Sequence, residues 1–175
     1  MEAKELMEKA ARFHGHICPG LAIGVLVAKH VLEHGYNYSP NEELVAVVEN
    51  DNCSVDALQV ILGTTYGKGN LVHRDYGKMN YSIYDRRTQK GIKLALKSRQ
   101  LNGEKLTRDE KIQFLLKSKP EDVFKIDKIE FNPPGLAQIE ESAPCEICGE
   151  ITMSSRLMIY NDSEMCVPCY KKIRG

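Results

Sequence analysis

Apolar residues along this chain fall into helical and extended rhythms that divide it into a large mixed unit and a small cysteine-rich tail. Residues 2–12 place Leu6, Met7, Ala10 and Ala11 at helical spacing among charges, the pattern of a short amphipathic helix. Residues 21–33 form a second helix whose apolar positions, from Leu21 and Ile23 to Val31 and Leu32, surround nearly the whole cylinder. All-round apolarity implies deep burial, and Gly35 supplies the stop. Residues 44–48 are a short valine-rich run, read as a buried strand, and residues 54–62 return to a helical period that Gly63 ends.

Further along, residues 72–85 alternate, with Tyr76, Tyr81, Ile83 and Tyr84, and predict two strands around Gly77. Residues 107–118 read as a helix that Pro120 ends, and residues 124–131 as an edge strand. Asn132, Pro133, Pro134 and Gly135 then break regularity. The reading is an α+β fold: a mixed helix and strand core domain over residues 1–132, a linker over 133–143, and a four-cysteine module over 144–175. No internal repeat or low-complexity tract is present.

The tail carries the most specific chemistry. Cys145 and Cys148 form one CxxC pair, and Cys166 and Cys169 form another, with 17 residues between the pairs. Two thiolates on each tight turn, brought together by a hairpin, can hold zinc tetrahedrally at roughly 2.3 Å. Gly149 allows the first knuckle a positive φ, and Pro168 suits the start of a closing helix. Knuckle, hairpin and helix together resemble a treble clef. The competing readings are two disulfides or a redox CxxC. No signal peptide is evident, which disfavours disulfides, and a thioredoxin-like motif would need a single pair in a βαβ unit. Structural zinc is the expectation.

A second concentration of ligand-type residues precedes the second helix, where His14, His16 and Cys18 fall within five residues, followed by Pro19 and Gly20. Pro19 fits the first helical position, which makes Cys18 the cap residue, with its sulfur near unpaired N–H groups and the positive end of the helix dipole. Such a thiol tends toward thiolate and suits a metal ligand or a nucleophile; the plain alternative is a small buried hydrophobe. Cys53 opens the next helix, with Glu49, Asp51 and Asp56 beside it. Ser54 or Asp56 can cap that helix, and the carboxylates offer ligands or proton acceptors unless they only solvate the loop. If the two segments converge, His14, His16, Cys18 and Cys53 supply a mixed N/S site with an open position.

The segment Gly63-Thr64-Thr65-Tyr66-Gly67-Lys68-Gly69-Asn70 superficially suggests a phosphate cradle. Its spacing is one residue short of a P-loop, and Gly69 stands where Ser or Thr would hold magnesium, so the segment does not fit a Walker-type site. Lys68 is left either to neutralise an anionic group or to face solvent.

Composition narrows the partners. In 175 residues, 24 basic and 24 acidic side chains cancel, which gives no global reason to expect nucleic acid or a membrane surface. No apolar run reaches the roughly 20 residues of a spanning helix, and a cytoplasmic protein is expected. Lys171, Lys172 and Arg174 after the last cysteine are the one basic cluster that a nucleic-acid reading could use, and a solvated helix end explains them as well.

Four motifs carry a resemblance: His14-Gly-His16-Ile-Cys18-Pro-Gly20 before an apolar helix, Cys53-Ser-Val-Asp56-Ala-Leu-Gln59, Gly63-x-Thr65-x-Gly67-Lys68-Gly69-Asn70-Leu71, and Asp75-x-Gly77-Lys78. In this order they resemble the FmdE family, named for one of the subunits of formylmethanofuran dehydrogenase, and the four-cysteine module is similar to that family's auxiliary zinc finger. The resemblance implies an α+β core followed by a treble-clef finger, assembly as a homodimer, a role in C1 metabolism or methanogenesis, and a candidate active or metal site around His16, Cys18 and Cys53, with His14 adjacent. It also implies partners among the subunits of a molybdenum or tungsten formylmethanofuran dehydrogenase. The chain departs from the family at Thr64, where a cysteine is frequent, which puts redox chemistry based on that sulfur in doubt.

Without a ferredoxin-like cysteine run the chain cannot perform the parent oxidoreductase reaction alone. The expectation is therefore a zinc-binding accessory protein with structural Zn2+ and a possible second metal ion in its core. The alternatives are a metal-dependent enzyme, with His16, Cys18, Cys53 and Lys68 as catalytic candidates on an unknown small substrate, and a nucleic-acid-binding finger.

Overall fold

The computed structural model describes residues 2–97 and 106–175 and divides into two compact units, Met1–Ala137 and Gln138–Gly175. In the first unit, α1 (Ala3–His14) and α2 (Pro19–Glu33) precede β1 (Leu44–Val48), α3 (Ser54–Leu62), β2 (Leu71–His73), β3 (Asn80–Asp85) and β4 (Lys90–Leu96). Helices α4 (Arg108–Lys117) and α5 (Pro120–Val123) then lead into β5 (Phe124–Ile129). The α+β class expected from the sequence is the one found.

The five strands form one mixed sheet in the order β2-β1-β3-β4-β5. β1 and β2 are parallel and joined through α3, with Val48 opposite His73, while β1 with β3, β3 with β4 and β4 with β5 are antiparallel. A parallel pair needs a crossover, and α3 is that crossover. The carboxyl ends of β1 and β2 therefore open at the same edge of the unit, beside the start of α3.

Period-two alternation sorts the strand residues. Leu44, Ala46 and Val48 join the helical core together with Tyr81, Ile83, Leu94 and Phe124. Val45 and Val47 are buried without belonging to that cluster. Helix α2 is the central element, packed on α1, α3 and α4. Leu21, Val25, Leu26, Val27 and Val31 are all at most 2% exposed. At roughly 2 kcal/mol for each fully buried aliphatic side chain, that stripe contributes about 10 kcal/mol gross before the entropy of ordering is set against it. The apolar circumference read from the sequence is thus consumed within one chain and offers no independent argument for a dimer.

Several boundaries differ from the sequence reading. Helix α2 starts at Pro19, two residues before the apolar run, because Pro19 occupies the first turn and Cys18 caps it. Thr107 lies outside α4 as its cap, in a reciprocal pair with Glu110. β4 was not read from the sequence at all. The stretch after Phe131 is tied to the first unit: the Arg86 guanidinium donates to the carbonyls of Pro134 and Gly135 at 2.7 and 3.1 Å, and Ala137 N donates to Glu42 Oε2 at 3.0 Å. The division between units accordingly falls after Ala137.

The second unit holds two antiparallel hairpins and a helix: β6 (Ser142–Pro144) with β7 (Ile151–Met153), β8 (Leu157–Tyr160) with β9 (Ser163–Cys166), and α6 (Val167–Arg174). Its core is Cys145, Met165, Cys166 and Cys169, with Tyr160 and Tyr170 packed against it.

Candidate metal centres

In the second unit, ligand atoms of Cys145, Cys148, Cys166 and Cys169 all lie within 4.8 Å of one another. The Cys148 and Cys166 sulfurs are 3.9 Å apart, close to the edge of about 3.8 Å that a tetrahedron with 2.3 Å zinc–sulfur bonds requires. Gly149, at φ 75°, turns the first knuckle. Cys166 N donates to Cys145 Sγ at 3.2 Å, and this bond draws the Cys145 thiol down to about 6. Cys169 is pushed the other way, to about 12, first by its contact with Cys166 and then by burial and its other sulfur neighbours. One sulfur, Cys145, ionises readily beside Cys169, which resists. A divalent metal reverses the resistance. The arrangement is a closed four-cysteine zinc site.

At the α2 N-terminus, Cys18 adopts extended backbone and its Sγ accepts from Leu21 N at 3.3 Å. This is the cap geometry expected from Pro19. Cys53 precedes α3 but leaves its sulfur out of the capping. Neither Ser54 nor Asp56 does the capping, as the sequence suggested; Asn52 Oδ1 accepts from Ser54 N at 2.9 Å. Ser54 is instead buried, sharing a 2.6 Å hydrogen bond with the Tyr81 hydroxyl. The sulfur of Cys53 is thereby free to face Cys18.

His14, Cys18 and Cys53 come together, each offering a donor atom within 4.8 Å of the others. His14 Nε2 stands 3.9 Å from Cys18 Sγ. Its other nitrogen, Nδ1, meets Asp56 Oδ2 at 2.7 Å. A carboxylate on one imidazole nitrogen fixes the tautomer that leaves the other lone pair for a metal. Gln59 Nε2 donates to Asp56 Oδ1 at 3.1 Å and its Oε1 accepts from Tyr66 N at 3.1 Å. Asp56 and Gln59 therefore acquire a role that the sequence withheld: they hold the histidine and tie it to the glycine-rich loop. Burial, and next the neighbouring Cys18, push the Cys53 thiol up, so its thiolate needs a compensating positive charge.

The cluster borders a cleft of about 440 Å³ lined by His14, Cys53, Asp56, Asp51, Tyr66 and His73, among others, beyond the carboxyl ends of β1 and β2. Ligand sites in open sheets favour that position. His73, the last residue of β2, was not anticipated, since a lone histidine after a two-residue apolar run carries no sequence signal.

Two expected site residues lie elsewhere. His16 is exposed and stacks against His14 with ring centroids 4.5 Å apart, outside the donor cluster. Lys68 donates to the carbonyls of Ser39, Pro40 and Asn41 at 2.8, 3.2 and 2.8 Å and is absent from the cleft lining. Its ammonium is directed to the loop before β1. Asn70 braces the same loop, donating to the carbonyls of Asn41, Leu44 and Gly63. Glu49 is also occupied: burial pushes its carboxyl up, but hydrogen bonds from Asn80 and Lys93 outweigh this and hold it below the usual range.

Comparison with known proteins agrees with this anatomy. A family model described as "FmdE, Molybdenum formylmethanofuran dehydrogenase operon" matches residues 13–126, and one described as "Prokaryotic dksA/traR C4-type zinc finger" matches residues 138–174. A protein of Archaeoglobus fulgidus described as a probable S-adenosyl-L-methionine-binding protein is 29% identical over 196 residues, covering 94% of this chain. The chain spans about half, 52%, of that relative's length. The crystal structure of an FmdE-like protein of the tungsten formylmethanofuran dehydrogenase type, from Syntrophus aciditrophicus, superposes with a TM-score of 0.72 at 21% identity, covering 97% of this chain and 92% of the other. At that identity the likeness concerns the fold.

Proposed function

We propose that this chain, which belongs to the FmdE family, is an accessory metal protein whose core binds a zinc-class ion through His14, Cys18 and Cys53. Its cleft then presents the ion's remaining position to a small ligand. The observation that supports this most is the three donors within 4.8 Å, with Asp56 holding the His14 ring from behind. Three protein ligands and one open position are the pattern of zinc sites that engage a water or substrate, where closed sites use four. A cation there offsets the burial and the neighbouring Cys18 that oppose ionisation of Cys53.

A metal held there would supply Lewis acidity and lower the pKa of a bound water; the chain's own contribution is to orient His14 through Asp56 and to offer Asp51, Tyr66 and His73 to a ligand. The family model's description supports a role beside a molybdenum enzyme, and the reading extends to a homodimer in the cytoplasm. Metal content tests the core assignment. Cys53→Ser should bind one equivalent of zinc fewer than the wild type and keep the finger's zinc; equal metal content in the two proteins contradicts it.

A second reading, the binding of an adenosyl ligand, takes its support from the description of the Archaeoglobus relative. The cleft volume of about 440 Å³ falls in the range of small-molecule sites, and its carboxylates suit a cationic sulfonium. Equilibrium dialysis with S-adenosylmethionine decides it: saturable binding that Asp51→Asn weakens supports this reading, and no retention removes it.

A further inference from the structure

Far along α2 from Cys18, the last turn carries His30 and, four residues on, His34. That spacing puts both imidazoles on one face of a helix. Their rings lie 3.8 Å apart between centroids, tilted by 30°, and Glu121 of α5 joins them so that one donor atom from each residue lies within 4.8 Å of the others. This group shares no residue with the cleft or with the finger.

We propose that His30, His34 and Glu121 form a third metal site, for a divalent first-row transition ion of the zinc class, that clips the end of α2 to α5. Three features of its geometry support the assignment. His34 Nδ1 meets the carbonyl oxygen of His30 at 2.8 Å, and a ring nitrogen donating to a carbonyl leaves Nε2 as the free donor. His30 Nδ1 and Glu121 Oε1 are 3.7 Å apart, beyond a hydrogen bond but near the edge of about 3.4 Å set by two ligands on one tetrahedral ion at 2.0 to 2.1 Å. Two imidazoles and a carboxylate are also a donor set that favours borderline metals over calcium or magnesium.

The electrostatics agree. The negative end of the α2 dipole faces the same turn and favours a cation there. Lys29 is the adverse charge, and its ammonium is turned to Glu33 at 2.8 Å. His34 and Glu121 are exposed while His30 is buried, so the ion would sit at the surface with water completing its shell.

Zinc titration of the metal-loaded full chain, followed calorimetrically at pH 7.5 after gel filtration, tests the site. The wild type should take up a further equivalent. His34→Ala and Glu121→Gln, both at exposed positions, should each weaken that uptake at least about tenfold, and Cys53→Ser should retain it. The proposal is overturned if the wild type takes up no further zinc, if either of the first two variants titrates like the wild type, or if Cys53→Ser loses the equivalent, which would assign it to the cleft.

Discussion

A Cβ at Gly20 would stand 3.2 Å from Cys53 Cβ and 3.7 Å from its Sγ, so the bare backbone at this position is what lets Cys53 approach Cys18. Gly20→Ala should push Cys53 outward by a few tenths of an ångström and weaken core zinc several-fold while the finger's zinc stays, a difference readable by competition with a chromophoric chelator. Asp56→Asn keeps the shape but removes the charge behind His14. Loss of such an outer partner typically costs 10- to 100-fold in metal affinity, and an unchanged affinity would reduce Asp56 to a loop brace. At this scale the sequence was legible where a residue type has few uses. Cysteines beside helix starts pointed to their own site. Spacing along the chain does not say which of two nearby histidines turns inward, nor that three carbonyls accept from the Lys68 ammonium.

Helices α2 and α3 meet so closely that a Cβ at Gly24 would lie 2.1 Å from the Ser54 carbonyl oxygen. Backbone cannot yield as a side chain can, and Gly24→Ala should destabilise the first unit by about 3 kcal/mol, at the upper end of overpacking costs, seen as a lower urea midpoint. Acid sensitivity is written into the loop before β1. Hydrogen bonds from its own backbone N–H and from the Ser39 hydroxyl hold Glu43 at about 2, below the reference 4.5. A carboxyl depressed in the folded state contributes stability above its unfolded pKa that is lost as pH falls toward the folded one. Glu43→Gln should therefore flatten the fall in stability between about pH 4.5 and pH 2; an unaltered acid limb would show the bonds to be idle. Long periodic elements such as α2, β1 and α3 were legible from pattern alone, and α3 was read to its final residue. Strand β4 was not read although Ile92, Leu94 and Leu96 alternate and all reach the core; Gly91 weakens the strand signal, and pairing to β3 on one side and β5 on the other fixes the element.

Across the whole molecule, chemistry divides along the chain. The second unit has a core of four residues, three of them cysteines, too little apolar burial for independent stability without a metal staple. Chelation should unfold residues 138–175 and leave the first unit's cooperative transition in place, distinguishable by amide exchange segment by segment; loss of protection in both units together would contradict that division. The family and the finger were legible because motifs in fixed order survive in one sequence. The cleft was only half legible: its cysteines came from the pattern, but its position depends on β1 and β2 running parallel, and the pattern did not give strand direction.

The central claim is that His14, Cys18 and Cys53 hold one ion. A crystal of the full chain grown with zinc and recorded at the zinc absorption edge tests it most directly. The account predicts, besides the peak among the four finger cysteines, a second anomalous peak about 2.0 to 2.3 Å from His14 Nε2, Cys18 Sγ and Cys53 Sγ. Density at the finger with none between those three atoms would contradict it.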